Sequence, residues 1–261
     1  MDQDPKSSNS KTERRRAQIM RILMEGSSTP IKDLAERLNV SLMTVHRDVA
    51  DLQKQGLVRR MRGSVSAEKT RLFESSYHSR TRHNVAEKQR LAQAAISYVE
   101  PGNAIVWDDS STTFHVCDYI SAVTPVTVIT NSLPVMERLR SEPDVDLIAV
   151  GGRYHRVYNG FFGMTCENTI RTFHVDVALL STTTVQGLSL YTQDEQVVRA
   201  KQAMMAIARK KILLVDSSKF HFSALMHVAE LTDFDAVLLT GEVDSAITQT
   251  MREAGVKLHV V

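Results

Sequence analysis

The sequence predicts an α/β protein in two domains: a small N-terminal winged helix-turn-helix domain and a larger Rossmann-like domain with a mostly parallel sheet. Three observations predict it. Residues 31–66 carry two short amphipathic helix patterns followed by a hairpin pattern. From about residue 86 onward, short apolar runs alternate with helical patterns. Charge divides in the same way: residues 1–83 hold 17 Lys/Arg against 10 Asp/Glu, and residues 84–261 hold 15 against 20. The expected divisions are a disordered tail 1–11, the winged domain 12–66, a linker 67–85 and the larger domain 86–261.

In the first domain, residues 12–25 form a helix pattern with Ile19, Ile22 and Leu23 inward, broken by Gly26 to Pro30. The next pattern sets Ile31, Leu34, Ala35 and Leu38 on one face at i, i+3, i+4 and i+7. Asn39 permits a tight turn, and Ser41 is placed to cap the following helix through an amide near Thr44. That helix buries Val45, Val49 and Leu52 and shows Met43, Thr44, His46 and Arg47 on its other side, where a recognition helix meets base edges. Gln55-Gly56 supplies a glycine stop. Residues 57–66 read as a hairpin turning at Gly63-Ser64 and carrying Arg59, Arg60 and Arg62.

Two amphipathic helices alone imply only a small helical subdomain. The ordered set of helix, turn, capped helix, stop and arginine-bearing hairpin implies binding to double-stranded DNA. Ser41, Met43, Thr44, His46 and Arg47 are then expected near bases, and Arg59, Arg60 and Arg62 on phosphates or in the minor groove. Arg14 to Arg16 offer further backbone contacts. One short recognition helix reads too few base pairs for genomic specificity, so a homodimer or homotetramer is expected.

Composition narrows the remainder. No apolar run approaches the length of a membrane span, and the first residues lack the apolar core of a signal peptide. Cys117 and Cys166 are the only cysteines, without ligand spacing, so a reducing cytoplasm and no metal or cofactor are expected. His115 and Cys117 stand two apart on an expected helix and do not face one ligand together.

The larger domain reads as strands at 104–107, 126–130, 147–150, 175–180, 212–215, 236–239 and 258–261. Helical patterns at 88–99, 133–140, 196–208 and 246–254 alternate with several of them. Apolar on both faces, such runs suit a buried parallel sheet, whose ligands bind beyond the carboxyl ends of the strands. Polar clusters fall there: Asp108-Asp109-Ser110-Ser111-Thr112-Thr113 before an expected helix, Thr130-Asn131-Ser132, Gly151-Gly152, Ser181 to Thr184, and Asp216 to Lys219. Ser110 to Thr113 form the best phosphate candidate, Lys219 can add positive charge, and Asp108, Asp109 and Asp216 can accept from sugar-like hydroxyls. Each piece alone is an ordinary cap or turn; their convergence implies a small-molecule pocket. Tyr154, Tyr158, Phe161 and Phe162 read as packing, with a lid or subunit contact as the alternative.

The chain resembles the DeoR/GlpR-type bacterial transcriptional regulators from about Thr12 to its end. The resemblance is carried by VSLMTVHRDVADLQKQGLVRRMRGS, by Arg80, Asn84, Glu87 and Lys88, and by DDSSTT, VITNS, VGG and LLVDSSKF in order. It implies a winged-helix domain joined to one similar to sugar-phosphate isomerases, in a repressor of carbohydrate or related catabolic genes. A phosphorylated sugar or similar metabolite is the implied effector. By resemblance, Asp109 to Thr113 stand at phosphate-loop positions, and Thr130-Asn131-Ser132, Lys201 and Lys219 at pocket positions.

Departures bear on specificity. His46 stands where the family commonly has Arg, Ser64 where it has a second Gly, and Ser111 where Gly is common. Residues 181–186 lack the usual glycines and acid.

Two alternatives stay open. One is a sugar-phosphate isomerase with a DNA-binding appendage, but no motif fixes Asp108, Asp109, Asp194, Glu195 or Asp216 as a base. The other is a DNA-binding protein with a vestigial ligand domain.

Overall fold

A computed structural model describes residues 12, 15–16, 18–19, 22–23, 28–54, 58–67, 77–220 and 223–261. The chain forms two compact units, residues 1–74 and 75–261. The expected tail, the Gln55-Gly56 stop and most of the first half of the expected linker lie outside the described residues.

In the first unit, the described residues between Thr12 and Leu23 are helical. β1 (Thr29–Pro30), α1 (Ile31–Leu38), α2 (Leu42–Lys54), β2 (Val58–Met61) and β3 (Ser64–Ala67) follow. Ile19 and Leu23 join Ile31, Leu34, Val45, Val49 and Leu52 in one core. α1 stops because Asn39 turns left-handed at φ 50°, a conformation Asn tolerates better than most residues, and its amide returns to the carbonyls of Ala35 and Glu36. Ser41 Oγ accepts from the Thr44 amide at 3.2 Å, capping α2.

Two details differ from expectation. Met61 pairs with Ser64, so the wing turns at Arg62-Gly63, one residue early, with Gly63 supplying the positive φ of 78°. Thr29–Pro30, expected only to break a helix, pairs with β3 as a third strand.

The second unit opens with α3 (Tyr77–Arg80) and α4 (Val85–Ala95). Residues 77–85, expected as linker, are therefore part of it, and the Tyr77 amide donates to the Val157 carbonyl at 2.7 Å. Then come β4 (Ala104–Trp107), β5 (Val126–Thr130), α5 (Leu133–Leu139), β6 (Val145–Ala149), β7 (Arg153–His155), β8 (Gly160–Phe162), α6 (Met164–Ile170) and β9 (Val175–Ser181). The unit closes with β10 (Thr184–Gln186), β11 (Ser189–Thr192), α7 (Glu195–Ile207), β12 (Ala208–Asp216), β13 (Met226–Glu230), β14 (Ala236–Thr240), α8 (Ser245–Glu253) and β15 (Leu258–Val260).

Seven strands form a parallel sheet in the order β15-β14-β12-β9-β4-β5-β6. Alternate residues point to opposite faces. Val106, Ile129, Leu180, Leu213 and Leu239 share a core with residues of α6, α7 and α8. Ile105, Trp107, Val128, Leu179 and Leu214 share the other with residues of α4 and α5. Coverage of both faces explains why the strands read as continuous apolar runs. Strand order reverses between β4 and β9, which opens a crevice beyond their carboxyl ends.

Three features were not expected: the hairpin β7–β8, the antiparallel sheet β10-β11-β13, and a 3₁₀ segment at Thr113–Asp118 where an α-helix was expected. The last removes the α-helix dipole from the phosphate argument.

Asp48 is buried in α2 and accepts from Arg15 Nε and, at 3.0 Å, from Arg16 Nε, whose Nη2 also reaches Asp51. Both arginine side chains are about a quarter exposed, so the pairs contribute less than fully buried ones. Asp48→Asn is expected to cost the winged unit about 2 kcal/mol, lowering its melting transition by roughly 10 °C in circular dichroism. An unchanged transition would show that the ion pairs contribute nothing.

Candidate functional site

At the start of α2, Ser41, Met43 and Arg47 are exposed, while Thr44 and His46 are half-buried. Arg59, Arg60 and Arg62 are exposed on the wing. Arg15 and Arg16 are held by Asp48 and Asp51, so they are not free cations for a phosphate backbone; Arg14 lies outside the described residues. A polar contact joins helix to wing: Arg60 Nη2 lies 2.8 Å from His46 Nδ1. An arginine N–H only donates, so Nδ1 accepts and a neutral His46 carries its proton on Nε2. The pair therefore presents a donor from each element.

In the second unit, the polar loop after β4 sits at the switch point. Asp108 is fully buried and pairs with Lys201 of α7. It also accepts from the amides of Ser181 (2.9 Å) and Ser110 (3.0 Å) and from Thr113 Oγ1 (2.8 Å). Lys201 Nζ donates again to the Ser181 carbonyl at 2.9 Å. Burial raises the Asp108 pKa, but Lys201 and the two amides outweigh it and hold the carboxyl below its usual range. For Asp109, burial and the Asp108 charge prevail over Lys201, and its pKa is raised.

The loop hydroxyls are already organised. Ser110 Oγ caps the Thr113 amide at 3.0 Å. Ser111 Oγ accepts from Lys88 Nζ at 3.2 Å, and Thr112 Oγ1 donates to Asp216 at 3.4 Å. The Ser111 and Thr112 amides have no acceptor among the described residues. Asp216 also accepts from Asn84 Nδ2 at 3.3 Å and faces Lys219 Nζ at 3.7 Å. Burial pulls the Lys88 pKa down to about 8, aided by the neighbouring Lys219 charge. Burial likewise lowers that of Lys219, with Arg80 and Lys201 adding repulsion.

Asp109 to Thr113, Lys201 and Lys219 are thus brought together. Thr130 and Asn131 do different work. Thr130 Oγ1 donates to the Trp107 carbonyl at 2.9 Å, and Asn131 Nδ2 donates to the Phe161 carbonyl at 2.9 Å, clamping the β7–β8 hairpin. The Asn131 Oδ1 and Ser132 Oγ atoms are buried without partners among the described residues. Gly160 brings this hairpin over the loop: a Cβ there would stand 3.3 Å from Asp109 Cβ. Gly151 and Gly152 are exposed, and what Gly152 meets is Phe162 and Cys166, not the loop.

Lys88, Asn84 and Arg80 were not foreseen as site residues. Lys88 had a signal: it lies on the same α4 stripe as Leu91, Ala92 and Ala95, all buried. A lysine at i, i+3, i+4, i+7 with core residues is a buried charge in need of a partner.

Comparisons with known proteins identify the family of each unit. A family described as the DeoR C terminal sensor domain matches residues 83–240, and one described as an HTH domain matches residues 15–62. A protein described as an aga operon transcriptional repressor in Escherichia coli O157:H7 is 29% identical over 255 residues, covering 96% of this chain and 94% of that one. An L-fucose operon activator of Haemophilus influenzae is 27% identical over 220 residues, covering 84% and 88%. Among solved structures, ribose 5-phosphate isomerase from Plasmodium falciparum superposes on 52% of each chain at 17% identity and a TM-score of 0.37.

On a DNA fragment selected from genomic sequence, Arg47→Ala is expected to weaken specific binding far more than binding to random DNA, in fluorescence anisotropy. Equal losses would remove Arg47 from base readout. Arg60→Ala is expected to lower the salt slope of binding by about 1. His46→Ala and Arg60→Ala should be non-additive by roughly 0.5–1 kcal/mol; full additivity would show that the bond is not kept on DNA.

Proposed function

We propose that this chain, which belongs to the DeoR family of DNA-binding transcriptional regulators, represses carbohydrate or related catabolic genes under control of an acidic metabolite. The effector is a phosphorylated sugar or a chemically similar compound, held at the carboxyl edge of the parallel sheet by Ser111, Thr112, Lys88 and Lys219. The observation that carries this reading is that Lys88 and Lys219 are both buried cations whose pKa values burial lowers, with the Lys219 charge further disfavouring that of Lys88. An oxyanion there removes the repulsion and meets the two loop amides. Asp109 and Asn131 Oδ1 are then acceptors for sugar hydroxyls.

In this reading two or more copies bind half-sites, with Ser41, Met43, Thr44, His46 and Arg47 near bases. The effector changes affinity for DNA only by binding the two states of the protein unequally. Isomerase chemistry is the weaker reading. Asp108 and Asp216 are committed to Lys201, Lys219 and neighbouring donors, which suits neither to moving a proton between adjacent carbons.

A thermal-shift screen of the full chain against phosphorylated sugars, sugar acids and polyols tests the reading. A compound that stabilises the wild type should lose its effect in Thr112→Ala and in Lys219→Ala while both variants keep DNA binding. A variant that responds normally would place the effector elsewhere, and no response to any compound would favour a vestigial domain.

The pH dependence has a defined sign. The Lys88 pKa is about 8 in the free protein and an anion raises it, so binding takes up a proton above that value. Affinity for the stabilising sugar phosphate, itself dianionic above a second pKa of about 6, should be highest below pH 8 and fall as pH rises beyond it. Lys88→Gln should bind more weakly and show a flatter profile. Calorimetry in two buffers of different ionisation enthalpy measures the proton uptake directly, and none at pH 8.5 or so would remove Lys88 from the site.

A further inference from the structure

Arg80 stands apart in the buried cluster. It ends α3, the first described element after the residues that join the two units. Its guanidinium lies over the rings of Tyr77 and Tyr158, 5.9 and 5.8 Å from their centroids. Ring contacts hold the guanidinium in place but leave its edge free. Nε and Nη2 form the side-on fork that meets a carboxylate or phosphate with two parallel hydrogen bonds. Both atoms are buried, and neither has a hydrogen-bond partner among the described residues. The nearest acid, Asp109 Oδ2, is 4.0 Å from Nη2, beyond hydrogen-bond reach.

A buried fork without acceptors is a common signature of a ligand site, since native structures rarely leave such donors unmade. The backbone of Arg80 is tied to the same place: Lys88 Nζ donates both to the Arg80 carbonyl and to Ser111 Oγ. Tyr158, on the far side of the guanidinium, belongs to the β7–β8 connection whose Gly160 covers Asp109.

We propose that Arg80 is a direct ligand for an oxyanion of the effector, phosphate or carboxylate, and that the segment from Tyr77 to Lys88 tightens when the site fills. The proposal rests on the reading of the Ser110–Thr113 loop with Lys219 as an anion site. It adds that the chain leaving toward the DNA-binding unit supplies part of that site. One side chain then both binds the ligand and reports it, because restraint at Arg80 is restraint on the first described element after the connecting residues. By linkage, a state of that segment that withdraws Arg80 binds the ligand less well.

The test uses the full chain, with inorganic phosphate and acetate as probes of the two oxyanion types. Affinity is read by thermal shift, and hydrogen exchange is followed at the amides of residues 77–88. Wild type should bind a probe and show slower exchange in that segment. Arg80→Lys keeps the charge but loses the fork and should bind at least tenfold more weakly. Arg80→Leu should abolish both binding and the exchange response; should it not fold, Arg80→Lys decides. Tighter binding of acetate than of phosphate, with the same losses, supports the proposal and makes the oxyanion a carboxylate. Binding lost in Lys219→Ala but unchanged in both Arg80 variants overturns the proposal and leaves the anion site standing. Binding of neither probe by the wild type overturns both. Probe binding without slower exchange overturns the tightening of the segment.

Discussion

The buried pair between Asp108 and Lys201 is the constraint on which the ligand unit depends. Neither group is stable alone in an apolar interior, where an unpaired charge costs several kcal/mol. Both are satisfied only if three elements meet: the end of β4, the end of β9 and the middle of α7. The pair therefore locates the switch point of the sheet as well as occupying it. It also fixes the loop that follows, since the same carboxylate holds the Ser110 amide and Thr113 hydroxyl. With Asp108 consumed, its neighbour Asp109 is left buried, facing the space under the hairpin.

The rest of the site follows from where charge has nowhere else to go. Asp216 gathers Thr112, Asn84 and Lys219. Lys88 and Lys219 are both buried, and the Lys219 charge disfavours that of Lys88 while Arg80 and Lys201 disfavour that of Lys219. A regulator of this kind has no need to activate a nucleophile; it needs two states of unequal affinity. Buried cations that repel one another suit the proposed anion site to that, because a bound anion relieves a cost that the protein otherwise carries. Relatives named for repression and for activation both align with this chain.

The winged unit uses the same economy on a smaller scale. Asp48 and Asp51 draw Arg15 and Arg16 inward and join the amino-terminal helix to the recognition helix. Arg47 on α2 and Arg59, Arg60 and Arg62 on the wing stay exposed. The His46–Arg60 bond makes helix and wing one surface, so the histidine's departure from the family's usual arginine has a structural partner.

Much of this was legible in the sequence, for identifiable reasons. Helix α1, the cap at Ser41, the core strands and helices α5, α7 and α8 rest on contacts within a few residues or on a period of 2 or 3.6, which a linear pattern records. The loop Asp109 to Thr113 and Lys219 were legible because ligand sites in parallel sheets fall at strand ends. What the sequence could not decide was which polar group is spent on structure. Thr130 and Asn131 look like Ser111 and Thr112 in a list of polar residues, yet the first pair holds β4 and the hairpin while Ser111 accepts from Lys88 and Thr112 donates to Asp216. The antiparallel sheet β10-β11-β13 and the hairpin β7–β8 were missed because their strands are short and weakly patterned. Arg80 was taken for linker and Lys88 for the start of a helix. Their partners lie far along the chain, and only folding brings Ser111 to Lys88 and Tyr158 to Arg80. Local pattern determined the elements and the edge at which a ligand meets them; long-range pairing of buried charge, which has no local signature, decided which side chains remain free to bind it.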